Sequence, residues 1–315
     1  MTTLISASIA YDYIMDFPDS FKNHILPDQI HILNVCFVVD ELKKNYGGVA
    51  ANVAYTMNLL GGKPIVFGPV GTDGKEYVSY LKKKGIETKY ITTDKSKLTG
   101  SAHITTDKDD NQITAFYNGA HQVAPQMKVG DVKEKVDFAI IGPTQKEAMV
   151  GHAKECFDLK IPFVFDPGQQ ITALSPQELM ATIGQAKFLI ANDYETKLIE
   201  EKTGWDKDEL LDHVEILITT LGSKGSVITT KEKVFEIEPC PPQSTDDPTG
   251  AGDAYRAGFF TAYTEGHDYQ TCGQVGSVSA TYAVENYGTQ NHNFTLEKFH
   301  KRYKDTYGET ISLQM

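Results

Sequence analysis

Seven residues, Asp247-Pro248-Thr249-Gly250-Ala251-Gly252-Asp253, stand directly before an apolar run, Ala254–Tyr263, that suits a helix. Glycines at 250 and 252 let the backbone turn its N–H groups toward one point with no side chain in the way. A helix beginning there adds the positive end of its dipole. Together they form a cradle for a phosphate. Asp253 stands at its rim, where a carboxylate is placed to take the proton of a hydroxyl attacking a phosphorus held by the cradle. A plainer description also fits: Asp253 as a helix N-cap after a glycine-rich turn.

Other residues could complete such a site. Gly47-Gly48 precedes Asn52 and a helical pattern in which Val53, Met57 and Leu60 share a face and Gly61 supplies a stop. Paired glycines admit a ligand close to the backbone, and Asn52 both donates and accepts hydrogen bonds. The alternative is a simple loop-to-helix turn. Asp12 follows the first apolar run, Leu4–Ile9, and open α/β sheets place ligands beyond the carboxyl ends of their strands. Its two acceptor oxygens suit a vicinal diol, such as that of a ribose; a surface turn is the alternative. Asn192-Asp193-Tyr194-Glu195 follows the strand Phe188–Ala191 and reads equally as a capping box or as a phosphate-facing helix end. Thr220-Leu221-Gly222-Ser223-Lys224-Gly225 reads as a turn between two strands. No G-x-x-x-x-G-K-[ST], H-E-x-x-H or G-x-S-x-G occurs, and the nine histidines are scattered, with no role assigned to any.

The elements that must position these residues are legible as alternating patterns. Strands are expected at Leu4–Ile9, Pro64–Val70, Phe138–Ile141, Phe163–Phe165, Phe188–Ala191 and Ile216–Thr220, with helical patterns between several of them and a capping box at Ser175–Glu178. This rhythm predicts an α/β fold with a doubly wound, mostly parallel sheet flanked by helices. Three β-rich runs break it: His31–Val39, Thr99–Thr106 and Gln112–Tyr117, the last two joined by the polar turn Asp107–Asn111. They predict a small antiparallel sheet, either an extra edge or a lid that closes over substrate.

Composition narrows the function. The 315 residues carry a net charge of −12, which disfavours nucleic-acid polymers and anionic membranes as partners. No apolar run reaches transmembrane length, the N-terminus lacks the pattern of a signal peptide, and the cysteines at 36, 156, 240 and 272 lack metal or redox spacing. A cytoplasmic protein with reduced thiols is expected.

The stretch 247–253 resembles the D-T-x-G-A-G-D signature of the ribokinase-like (PfkB-type) family of sugar and nucleoside kinases, with Pro248 in place of the common Thr. Gly47–Asn52 resembles the family's G-G-x-x-x-N, Asn192–Glu195 its N-x-x-E, and Thr220–Gly225 its T-L-G-x-x-G. The likeness runs from Ser8 to about Gln290. It implies one kinase domain over residues 1–315, with a lid from segments near 11–17, 31–46 and 99–118. It implies Asp253 as the base, with Gly250, Ala251 and Gly252 stabilising the moving phosphoryl group. Ser8, Asp12, Gly47, Gly48 and Asn52 would hold the sugar. Asn192, Thr220, Gly222, Gly225 and Asn286 would lie along ATP, and Glu195 would serve magnesium. A monovalent cation (K+) near the cradle and a homodimer are features of some relatives.

Within the family, Gly47–Asn52 with His31–Asp40, Asp166–Gln170 and Glu285–Gln290 look most like bacterial adenosine kinases. By that resemblance Phe116, Gln169 and Gln170 face the base, with Phe37 as a second aromatic face. Gly168 and Cys36 depart from it, each standing where Ser is common. The implied activity is transfer of a phosphoryl group from ATP to the 5′-hydroxyl of adenosine. The alternatives are a broader nucleoside kinase, a sugar kinase of the same family, and a non-catalytic nucleoside-binding protein, for which Asp253 beside the cradle would have no use.

Overall fold

Alternation along the first strand, β1 (Thr2–Ser6), sends Leu4 to one side of a sheet and Ile5 to the other, and both are fully buried. A strand buried on both faces needs helices on both faces, and the chain supplies them. The computed structural model describes residues 1–26, 32, 34–109 and 111–313. After β1 come β2 (Ala10–Asp16), β3 (Glu41–Gly47), α1 (Val49–Leu59), β4 (Lys63–Val70), α2 (Lys75–Lys83), β5 (Ile91–Thr93), β6 (Gly100–Thr106) and β7 (Gln112–Tyr117). Then follow β8 (Phe138–Ile141), α3 (Lys146–Asp158), β9 (Phe163–Phe165), α4 (Pro176–Ile183), β10 (Phe188–Asn192), α5 (Asp193–Thr203), α6 (Lys207–His213), β11 (Ile216–Thr220), β12 (Ser226–Thr229), β13 (Val234–Ile237), α7 (Ala251–Thr264), α8 (Tyr269–Val284) and α9 (Leu296–Tyr307).

Among the described residues the strands form a nine-stranded sheet, β13-β12-β11-β10-β9-β8-β1-β4-β5, and a separate four-stranded sheet, β3-β2-β6-β7. The large sheet is parallel from β5 to β11, and only β12 and β13 run antiparallel. Ile5, Ile140, Val164 and Ile190 pack under α1, α7, α8 and α9, whereas Leu4, Ile141, Phe165 and Leu189 pack under α3, α4, α5 and α6. The predicted doubly wound arrangement is therefore present. Its switch point is β1, which pairs with β4 on one side and β8 on the other.

Three expectations need correction. The first strand ends at Ser6 rather than Ile9, because Ser8 leaves the ladder to bond its N–H to Pro143 O at 2.9 Å. The strand expected at His31–Val39 lies instead at Glu41–Gly47, where seven residues pair with β2; residues 34–39 are not in a strand, and 31 and 33 lie outside the described residues. The small sheet is mixed rather than antiparallel, since β2 runs parallel to β6. Asp110 of the turn after β6 also lies outside the described residues.

Candidate active site

Strand pairing in the small sheet builds the acceptor side. Asp12 is opposite Asn45 on β3 and Ala102 on β6, and Ala102 is opposite Phe116 on β7. Residues directly opposite share a face, so Asn45, Asp12, Ala102 and Phe116 form one row across the sheet. Ala102 is the small member of the row, set between the carboxylate and the ring. Phe116 is 49% exposed, and its other side is braced by His121, with ring centroids 5.9 Å apart and planes 25° apart. His121 is held in turn by Ile9 O, 2.9 Å from its Nε2.

The Asp12 carboxylate lies over the glycine pair. A Cβ at Gly47 would fall 2.0 Å from Asp12 Oδ2, so a side chain there would displace the Asp12 carboxylate. Gly48 has φ +86°, and a Cβ would meet Ala10 N at 2.5 Å and Ser8 O at 2.7 Å. Gly48→Ala should therefore lower stability by about 1–3 kcal/mol and weaken acceptor binding. Chemical denaturation and acceptor titration check this, and a fully stable variant with unchanged affinity would show that the turn is not under constraint. Ser8 is used at the same turn: its Oγ accepts from Val49 N at 3.1 Å and its carbonyl from Ala50 N at 2.9 Å. Burial pushes the Asp12 carboxyl up to about 7, with the Asp253 and Asp247 carboxylates adding to the rise.

The cradle is assembled from two distant segments. Asp247, buried, accepts from Thr249 N and Gly288 N, both at 2.9 Å, tying the glycine-rich turn to the segment 287–290. Gly250 sits at φ +83° and α7 begins at Ala251, so the N–H groups of Gly252 and Asp253 belong to an unpaired first turn. Asp253 accepts from Asn52 Nδ2 at 2.8 Å. Asn52 Oδ1 accepts from Gln290 Nε2 at 2.8 Å, Gln290 Nε2 also reaches Tyr77 Oη at 2.6 Å, and Tyr77 donates to Gly47 O at 2.6 Å. One chain of hydrogen bonds thus links the candidate base to the glycine pair under Asp12. Burial pushes the Asp253 carboxyl up to about 6; the Arg256 guanidinium and the Asn52 amide hold it down, and Asp166 opposes them.

The remaining predicted residues lie at the ends of neighbouring parallel strands. Asn192 and Thr220 are register partners at the ends of β10 and β11. Asn192 and Glu195 form the full capping box: Glu195 N donates to Asn192 Oδ1 at 2.7 Å, and Asn192 N donates to Glu195 Oε2 at 2.9 Å. Burial raises the Glu195 carboxyl. Gly222 and Gly225 bound a single turn closed by Leu221 N to Gly225 O at 2.8 Å. Asn286 directs its Nδ2 to Tyr282 O at 2.9 Å, closing the end of α8. Gln169 and Gln170 lie in the 3-10 turn Gly168–Thr172 after β9, with Gln169 exposed. Among the described residues no hydrogen bond or ring contact joins either glutamine to Phe116. Phe37, expected as a second face for the base, packs against Phe17 and Phe21 at 4.9 Å each.

Residues that the sequence did not flag are Asp247 as a clasp, Tyr77 and Gln290 as the hydrogen-bond relay, His121 as the brace, and Arg256 with Asp166. A lone arginine within the apolar run 254–263 was the one signal available, since a charge on a buried helix needs a partner.

Residues 26–296 match the model of the pfkB family of carbohydrate kinases. A nucleoside kinase of Methanocaldococcus jannaschii is 35% identical over 271 residues, covering 85% of this chain and 89% of that protein. In three dimensions the chain is similar to Burkholderia thailandensis nucleoside kinase in complex with inosine, with a TM-score of 0.91 and 35% identity over 98% of this chain and 99% of the other. Against the ligand-free form of that enzyme the TM-score is 0.84, with 36% identity over 96% and 99% of the two chains.

Proposed function

We propose, for a chain that belongs to the pfkB family of carbohydrate kinases and is a phosphotransferase with an alcohol acceptor, that the acceptor is the 5′-hydroxyl of a purine nucleoside and the donor is ATP. The observation that carries this is the row Asn45–Asp12–Ala102–Phe116. It sets a carboxylate, of the kind that suits a diol, two strands, roughly 10 Å, from a half-exposed aromatic ring, with an alanine between. A ribose held by Asp12 then lays its base over Ala102 and against Phe116. The nucleoside kinases similar to this chain, one of them bound to inosine, support the same class.

Asp253 takes the 5′-hydroxyl proton as that oxygen attacks the γ-phosphorus. The Gly250 and Gly252 amides offer their N–H groups to the transferred phosphoryl oxygens, whereas the Ala251 N–H, expected with them, donates to Pro248 O at 3.2 Å and closes the turn; catalysis is then mostly positioning and electrostatics. Ser8, Gly47, Gly48 and Asn52 form the floor under the ribose. Asn192, Thr220, Gly222, Gly225 and Asn286 border the nucleotide. Magnesium would travel with the nucleotide phosphates and neutralise part of their charge. Among the described residues no three His, Cys, Asp or Glu side chains cluster as a metal cage, which suits an ion held by phosphates and water, with Glu195 acting through water. The small sheet acts as the lid of a single kinase domain. Leu42, Ile113 and Tyr117 on its outer face are exposed, which supports a homodimer through that face. Among the described residues no helix is long and apolar enough to cross a membrane, and a cytoplasmic site of action fits this.

Adenosine is the acceptor we place first, because glutamine amides at 169 and 170 match the polar edge of adenine. ADP release from ATP and magnesium across adenosine, inosine, other nucleosides, ribose and fructose 6-phosphate tests this, with potassium exchanged for tetramethylammonium to test the cation. Turnover with purine nucleosides far above sugars is expected. Phe116→Ala should lower kcat/KM for the nucleoside about 10- to 100-fold and leave any ribose turnover unchanged. Equal loss with ribose would mean that the ring does not meet a base.

A further inference from the structure

Arg256 stands one turn after Asp253 on α7 and is buried. Its guanidinium makes two parallel bonds to Asp166, Nε to Oδ2 at 2.5 Å and Nη2 to Oδ1 at 2.8 Å. Asp166 follows β9, is 2% exposed, and is anchored by its N–H to Ile141 O at 2.9 Å. The third contact of Arg256 is Nη1 to Gly252 O at 3.0 Å. The carbonyl of Gly252 and the N–H of Asp253 belong to one planar peptide and point in opposite directions. Holding that oxygen therefore aims the Asp253 N–H toward the cradle. The large sheet and the cradle helix are thus joined beneath the reacting groups by one buried, bidentate ion pair, the geometry in which arginine is hardest to replace.

We propose that Arg256 and Asp166 are a positioning pair with opposed effects on the base: Arg256 aims the Asp253 peptide and sets a cation one turn from its carboxyl, and Asp166 draws that cation toward the sheet. The proposal rests on Asp253 as the base. The groups that face the Asp253 carboxyl are Arg256 on its own helix, Asn52 on α1, Asp166 after β9 and the more distant carboxylate of Asp12 on β2; beyond them Asp247 in the preceding turn faces Asp12, and Glu195 on α5 faces Arg256. Arg256 is the single cation in this set, and every other charged member is acidic. Removing it leaves a half-buried carboxylate among carboxylates. Removing the charge of Asp166 frees the guanidinium for Asp253 alone.

The test is a titration of the full chain labelled with 13Cγ-aspartate and free of substrate, the Asp253 signal being identified by its loss in Asp253→Asn. The midpoint should rise by about one pH unit or more in Arg256→Gln and fall in Asp166→Asn. No movement, or movement in the same direction in both, overturns the proposal, because a merely structural pair would change stability and not the order of the two midpoints. Asp166→Asn conserves volume and suffices if Arg256→Gln does not fold. Arg256→Lys retains the charge and should keep the midpoint near that of the parent; a rise as large as in Arg256→Gln overturns the electrostatic role. The acid limb of kcat is followed in parallel. Midpoints and limbs moving together support both readings. Midpoints that move while the limbs stay fixed support the pair and reject Asp253 as the base.

Discussion

Asp253→Asn should fold, bind nucleoside within a few-fold of the parent and turn over about 10²–10⁴-fold more slowly. The substitution is nearly isosteric, and its amide oxygen still accepts the 2.8 Å hydrogen bond from Asn52. The relay through Gln290 and Tyr77 to the glycine pair is then undisturbed, and with it the floor of the acceptor site. What is lost is the ability to take a proton. The parent should show the same dependence on pH: with the carboxyl pushed up to about 6, turnover falls as pH drops below that value and the base becomes protonated. Steady-state ADP release and calorimetric nucleoside binding measure the two halves of the prediction. A variant that keeps turnover within about threefold, a range too small for general-base catalysis, would remove Asp253 from the role of base.

Asp12→Asn should act in two opposite directions. Nucleoside kcat/KM should fall about 10²–10³-fold, because a carboxylate binding a diol makes two charge-assisted hydrogen bonds, each worth roughly 1.5–3 kcal/mol. An amide keeps one acceptor oxygen and sets a donor where the second hydroxyl needs an acceptor. The empty protein, by contrast, should become more stable above neutral pH. Burial raises the Asp12 carboxyl from 3.8 to about 7, so the native state binds a proton that the unfolded chain has already released. Stability is then highest below about 4 and declines as pH rises toward about 7 for this group. The neutral amide avoids that loss, a gain of roughly 1–2 kcal/mol after solvent screening, or a few degrees in Tm. Thermal melts at pH 5 and pH 8 check it: the two proteins should differ more at the higher pH than at the lower. A variant equally or less stable at pH 8 would mean that Asp12 is not under burial strain in the empty site.

Local chemistry made the geometry of the candidate catalytic half readable. The glycines at 250 and 252 marked a turn and Asp253 stood where a helix begins, and in the structure Gly250, at φ +83°, caps α7 while Asp253 lies in its first turn. Asn192 and Glu195 were legible for the same reason, and both members of the capping box are formed. The acceptor half was less legible because pairing, not propensity, decides it. His31–Val39 carries Ile32, Val35, Phe37, Val38 and Val39 and reads as a strand, whereas the actual strand is Glu-Leu-Lys-Lys-Asn-Tyr-Gly at 41–47. An edge strand with both faces largely in solvent has no need of β-branched residues, and its register with β2 supplies what its composition lacks. The row joining Asp12 to Phe116 spans more than a hundred positions, and no local pattern encodes it. The Arg256–Asp166 pair was hidden for the same reason, its partners being 90 residues apart.

The division of labour between the two sheets has an evolutionary consequence. The residues proposed for phosphoryl transfer sit where buried strands end and helices begin, and Asp253, Asn192 and Glu195 among them are held by hydrogen bonds to neighbours. On the proposed reading the base is met by Phe116 on β7, whose six residues are all exposed and which pairs on one side alone. Substitutions on such a strand cost little stability and leave the proton-transfer machinery untouched. A lineage built this way can change what it phosphorylates by small, tolerated steps along one margin while the reaction itself stays conserved.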